Sequence, residues 1–169
     1  MEETPTVETR TEQPYVAIPV SVRMEDLGPV VPPLTGQVLD WLSKRGISPA
    51  GPPFWRYVVI DMDAELEIET GFPVANMVEG DEQIQTGVLP AGDYATVLHT
   101  GHPDTLITAT RDLLDWAEKE GLAWDADGRT WGCRLEEYLS DPVEVPDMDQ
   151  WQTRLSFRLR DERDAKSLK

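Results

Sequence analysis

An octet at the end of one predicted helix returns in the second half of the chain. Asp40-Trp41-Leu42-Ser43-Lys44-Arg45-Gly46-Ile47 reappears as Asp115-Trp116-Ala117-Glu118-Lys119-Glu120-Gly121-Leu122. Both copies place a lysine in the last turn and a glycine just after it, the usual way to stop a helix. Around each copy the chain reads strand, helix, strand, strand. Repeating that unit constrains the fold to a pseudo-two-fold α+β domain, with both helices on one side of an antiparallel sheet. The competing explanation is two unrelated helices that share a tryptophan and a terminal glycine.

The segments follow in order. Residues 1–11 are polar and acidic and read as a loose arm; the first repeat covers about 12–75. Tyr15 to Val22 is a β-branched strand that Pro19 assigns to an edge or a bulge. Gly28-Pro29 and Pro32-Pro33 read as a break, and a helix is predicted over 33–45, with Leu34, Val38, Trp41 and Leu42 on its apolar stripe. Phe54 to Ile60 is the next strand, Asp61-Met62-Asp63 a turn, and Glu65 to Thr70 an alternating strand continued with a kink to Val74. Asn76 to Gln85 connects the halves.

The second repeat covers about 87–160. Asp93 to His99 is its first strand, and Pro103 or Asp104 opens a helix whose stripe is Leu106, Thr110, Leu113, Leu114 and Ala117. A loop at 125–128 leads to a strand from Trp131, which ends at the turn Ser140-Asp141-Pro142. Trp151 to Leu159 is the last strand, and the charged tail 161–169 is expected to fray. The whole is one domain.

Composition removes several function classes. With 169 residues and a net charge of −17, the chain lacks the basic surface that nucleic acid or an anionic membrane would need. A single cysteine, Cys133, leaves no internal disulfide. The acidic start is no secretory signal, and no apolar run reaches the ~20 residues of a membrane span. A cytoplasmic protein is expected.

The second half resembles the GyrI-like small-molecule-binding domain, also called the AraC-type or BmrR-type effector-binding domain. Leu89-Pro90-Ala91-Gly92-Asp93-Tyr94-Ala95 looks like the family's entry to its strand, and His99-x-Gly101 like the step before its helix. Asp115-Trp116 to Gly121 resembles the helix ending, Glu136-x-Tyr138-Leu139-Ser140-Asp141-Pro142 the central strand, and Trp151-x-Thr153 the start of the last strand. Glu65 to Val74 carries a looser likeness in the first half. The likeness spans about residues 12–160, and its specificity lies in the order and spacing of the motifs.

That resemblance implies two βαββ modules around a pocket at the pseudo-two-fold axis, in a standalone form without a DNA-binding domain. It implies a lipophilic or aromatic ligand, in some members cationic, and hence sequestration or sensing with a role in drug or toxin resistance. Two other activities follow from branches of the family. One is hydrolysis that opens the cyclopropane of DNA-alkylating natural products. The other is inhibition of a topoisomerase through protein contact.

Alternation along a strand names the pocket candidates. Arg134, Glu136 and Tyr138 share one face, and Cys133, Leu135, Glu137 and Leu139 the other. Superposing the halves aligns Tyr57 with Tyr138 and Trp55 with Glu136, so these four residues make one expected lining, with Trp131 at its mouth. Trp41 and Trp116 are further lining candidates, although their helix faces favour the core. A carboxylate among aromatic rings loses hydration, which raises its pKa unless a donor or cation compensates. Glu136 therefore suits either anchoring a ligand or activating water, with Tyr138 or Tyr57 donating to a ligand carbonyl.

Each assignment has a plainer rival. Glu136 could lie at the surface beside Arg134, and the tyrosines could be sheet aromatics with hydroxyls at the rim. His99 and His102 straddle a glycine turn without a third ligand, so no metal and no cofactor are expected. Cys133 faces away from Glu136, and the glycines form no phosphate loop.

Overall fold

The computed structural model describes residues 4–61 and 63–161. Its strands are β1 (Thr6–Arg10), β2 (Gln13–Val22), β3 (Phe54–Val59), β4 (Leu66–Pro73), β5 (Gln85–Leu89) and β6 (Gly92–Thr100), then β7 (Ala126–Asp127), β8 (Thr130–Trp131), β9 (Arg134–Tyr138) and β10 (Gln152–Arg158). Helix α1 (Leu27–Lys44) follows β2, and α2 (Leu106–Lys119) follows β6. The strands form one antiparallel sheet in the order β1-β6-β10-β9-β3-β4-β2-β5, with β7 and β8 off the main path. Reading outward from the β9–β3 contact, each half presents the same sequence of roles, as the repeat requires. Among the described residues, no helix is long and apolar enough to cross a membrane.

The octets are one structural device used twice. Gly46 and Gly121 have φ of 68° and 72°, the left-handed region that a side chain disfavours. Gly46 N donates to Ser43 O and Ile47 N to Leu42 O; Gly121 N donates to Glu118 O and Leu122 N to Ala117 O. Both ends are therefore Schellman caps. Ile47 packs on the cluster beneath α1 and Leu122 on the cluster beneath α2.

Five expectations need correction. The arm over residues 1–11 is not loose in its described part, because β1 pairs with β6 from Thr6↔Thr96 to Arg10↔Gly92. Helix α1 begins at Leu27 rather than near residue 33 and runs through Pro32 and Pro33. Those prolines remove hydrogen bonds to the Gly28 and Pro29 carbonyls, but all four residues are exposed, so the carbonyls are open to solvent. Val31, Val38 and Leu42, wholly buried on the sheet, keep the turns together.

The remaining three corrections concern strands. The strand expected from Trp131 is broken at Gly132-Cys133, where Gly132 N donates to Asp125 O at 2.8 Å. A Cβ on Gly132 would collide with the Asp125 carboxylate. The loop expected at 125–128 is instead the β7–β8 hairpin. Finally, β4 keeps unbroken register with β2 from Leu66 to Pro73, and the irregularity lies in β3 between Tyr57 and Val59. Met62, residues 1–3 and the tail beyond residue 161 lie outside the described residues.

The edge strands were illegible as such. Strand β1 lies on β6 of the second half, and β5, which opens the second half, lies on β2 of the first. Each half thus lends its partner an edge. Pro19, as expected, sits past the end of β5, where among the described residues β2 has β4 as its only neighbour.

Both sheet faces carry buried clusters. On one, α1 packs over β2 and β4 with Val16, Ile18, Phe72 and Val38, and α2 packs over β6 with Val97, Leu113 and Leu155. On the other, Tyr15, Phe54, Tyr94, Cys133 and Leu135 bury one another without a second layer, which the sheet achieves by curling into a half-barrel.

Candidate functional site

Helix α1 packs on β2 and β4 and α2 on β6, which leaves the central strands β3 and β9 between the helices; that interhelical face is the trough. Strands β3 and β9 pair there through Phe54↔Glu137, Trp55↔Glu136 and Arg56↔Leu135. Alternation turns Trp55, Tyr57, Arg134, Glu136 and Tyr138 toward the helix side, and all five are half-buried. Four of the sequence-derived candidates therefore converge. Trp55 and Tyr138 meet edge to face, with ring centroids 5.2 Å apart.

Glu136 is the polar centre of this group. Tyr57 Oη donates to Glu136 Oε1 at 2.9 Å, and Tyr138 Oη donates to the same oxygen at 2.6 Å. Among the described residues, Oε2 has no protein donor. The one sealed side-chain nitrogen or oxygen without a partner is Arg56 Nε, so Glu136 Oε2 keeps access to the trough. The carboxylate is thus steadied by two phenols and offers one free oxygen. Neither rival expectation holds: Glu136 is not at the open surface, and the hydroxyls point at it rather than at the rim.

Burial raises the Glu136 pKa, and the hydrogen bonds from Tyr138 and Tyr57 and the charge of Arg134 oppose the rise. Burial and the adjacent carboxylate push both phenols well above their ordinary value, so they stay protonated donors. Each phenol has one proton, and each is committed to Glu136.

The other candidates fall elsewhere. Trp131 stands at the trough's flank, against Trp124 and Phe157 at 5.7 and 5.8 Å between centroids. Trp41 is in the core beneath α1, with its indole N–H on Asp81 at 2.8 Å and Arg45 over its face. Trp116 packs on the cluster beneath α2. Cys133 is wholly buried on the far sheet face, where burial raises its thiol pKa. His99 shares a 2.7 Å hydrogen bond with Thr105 Oγ1, and His102 Nδ1 accepts from Asp104 N.

Alternation places Arg134 on the Glu136 face, where the sequence suggests no more for it than a surface partner of that carboxylate. Its guanidinium instead lies over Phe157, Trp131 and Tyr57, at 4.5, 4.7 and 6.0 Å from the ring centroids. The signal available was its place two residues before Glu136 in a strand flanked by aromatics.

The model of the GyrI-like small molecule binding domain matches residues 3–160. The chain belongs to that family. The GyrI-like fold recurs in the C-terminal domain of EcmrR, at 20% identity and a TM-score of 0.76, over 93% of this chain and 97% of that one. In the EcmrR–DNA complex the chain spans 57% of the EcmrR chain, at the same identity and TM-score. SAV2435 bound to tetraphenylphosphonium matches at 7% identity and a TM-score of 0.64, over 94% of each chain. A hydrolase from Listeria innocua matches at 16% identity and a TM-score of 0.62, over 92% of this chain and 91% of that one. At these identities the shared property is the GyrI-like fold. None of the curated protein sequences matches the chain.

Proposed function

We propose that this GyrI-like protein captures a lipophilic or planar aromatic small molecule in the trough between α1 and α2. Glu136 anchors the ligand, and the outcome is sequestration or sensing in the cytoplasm, serving drug or toxin resistance. One observation carries this: both phenols bind Oε1 of Glu136 and leave Oε2 open among aromatic rings. A ligand N–H, O–H or cation would satisfy that oxygen, while Trp55 and Tyr138 offer apolar faces and edges.

Titration of tryptophan fluorescence with a planar hydroxyanthraquinone tests the assignment. Saturable quenching is expected, and Glu136→Gln should weaken affinity about tenfold, since a hydrogen bond to a charged group is worth ~1.5 kcal/mol or more. Affinity should also fall as pH drops through the raised Glu136 range, because the protonated carboxyl is a poorer acceptor. Equal affinities for the two proteins would remove Glu136 as the anchor.

The second reading is hydrolysis, favoured by the raised Glu136 pKa. Oε2 would take a proton from water as its oxygen attacks a cyclopropane carbon. The ring C–C bond would break toward a conjugated carbonyl, whose oxygen would then be protonated. The carbonyl needs a donor, and both phenol protons are already directed at Glu136, which favours binding over turnover. Mass spectrometry after incubation with a cyclopropane-containing alkylator separates the two. Ring-opened product that is lost in Glu136→Gln and kept in Cys133→Ala would support the hydrolase.

A further inference from the structure

Arg10, Arg56 and Arg158 each reach a carboxylate: Glu137 at 3.0 Å, Glu69 at 3.3 Å and Asp125 at 2.9 Å. Arg134 does not. Among the described residues it has no carboxylate oxygen within 4.0 Å and no hydrogen-bond acceptor, although it stands two residues from Glu136 on the same face of β9. The rings of Phe157, Trp131 and Tyr57 hold the guanidinium by cation–π contact. Those contacts satisfy its charge in part but none of its five N–H donors. Its nitrogens are not sealed from solvent, so the unused donors are available from the trough.

The trough thus presents one free carboxylate oxygen and one free guanidinium, carried by residues whose Cα atoms are about 7 Å apart by strand rise. Its polar groups sum to zero charge. A lipophilic cation placed against Glu136 meets the field of Arg134, which opposes the attraction. A ligand with a donor for Glu136 and an acceptor for Arg134 satisfies both.

We propose that Arg134 sets the ligand class: planar aromatic compounds carrying both a carbonyl or carboxylate acceptor and a hydroxyl or amine donor, in preference to lipophilic cations. This rests on the reading of the trough as a Glu136-anchored binding site. Two probes, a hydroxyanthraquinone carboxylate and tetraphenylphosphonium, test it by fluorescence titration of the full chain. The unmodified protein should bind the carboxylate more tightly. Arg134→Met, which keeps an unbranched apolar side chain but loses the guanidinium over Phe157, should weaken the carboxylate at least tenfold and tighten tetraphenylphosphonium severalfold. Arg134→Lys keeps the charge and serves should the methionine variant fail to fold. It should still disfavour the cation while losing a few-fold on the carboxylate, because the planar fork is gone.

Tighter binding of the cation by the unmodified protein, or a preference unmoved by both substitutions, would overturn the role of Arg134 and leave the binding site standing. Absence of saturable binding by either probe, or indifference of both affinities to Glu136→Gln, would instead bring down the Glu136-anchored site and the proposal with it.

Discussion

Glu136 is held in place at a cost. Its pKa lies above the ordinary carboxylate range because burial outweighs the two phenol hydrogen bonds and Arg134. A carboxyl group with a raised folded-state pKa binds its proton more tightly in the fold than in the unfolded chain. Stability therefore falls as pH rises from the ordinary value through the raised one, and above that window the fold carries the full desolvation cost. Glu136→Gln removes the charge and leaves an amide oxygen that can accept from Tyr57 and Tyr138. The variant should melt at a higher temperature than the parent at neutral pH, and the gap should close as pH falls toward 4, which paired thermal melts across pH will show. A variant less stable than the parent at every pH would mean that the ionised carboxylate strengthens the fold.

The helices depend on their stops. Gly46 and Gly121 occupy left-handed backbone, where a Cβ costs roughly 1–2 kcal/mol. Neither has a neighbour that a methyl group would strike, so the cost of alanine at either site is conformational alone. Gly46→Ala and Gly121→Ala should each lower unfolding free energy by about 1 kcal/mol in urea titration, with an unchanged slope. Because the sites lie in different halves, the double variant should lose the sum. The octet repeat was readable because a Schellman cap is a local device, closed within six residues. The start of α1 was not, because burial of Val31 against the sheet overrides what Pro32 and Pro33 indicate locally.

At the scale of the molecule, the halves interlock through their edges. Arg10 on β1 reaches Glu137 on β9 at 3.0 Å and Ser156 on β10 at 2.8 Å, so the N-terminal strand ties into the second half. Deleting residues 1–11 strips β6 of its edge partner and leaves half-buried Glu137 with Ser156 but no cation. A loss of about 2 kcal/mol is expected, lowering Tm by roughly 4–8 °C. Because β3 and β9 still join the halves, tryptophan fluorescence and circular dichroism should report one coincident transition. Two separated transitions would show that β1 is what couples them.

The repeat, the helix stops and the side-chain alternation were set by the chain itself, since each depends on residues within a few positions of one another. They were enough to place Trp55, Tyr57, Glu136 and Tyr138 on a common face and Cys133 behind it. Only the tertiary structure decided which partner each side chain met. Tyr57 lies 79 residues from the carboxylate it binds, and β1 joins a strand of the opposite half. Arg134 is two residues from Glu136, yet aromatic rings from β10 and β8 hold it clear of an ion pair. Strand register sets the position of a face, but the contacts on it depend on chain segments that local pattern does not link.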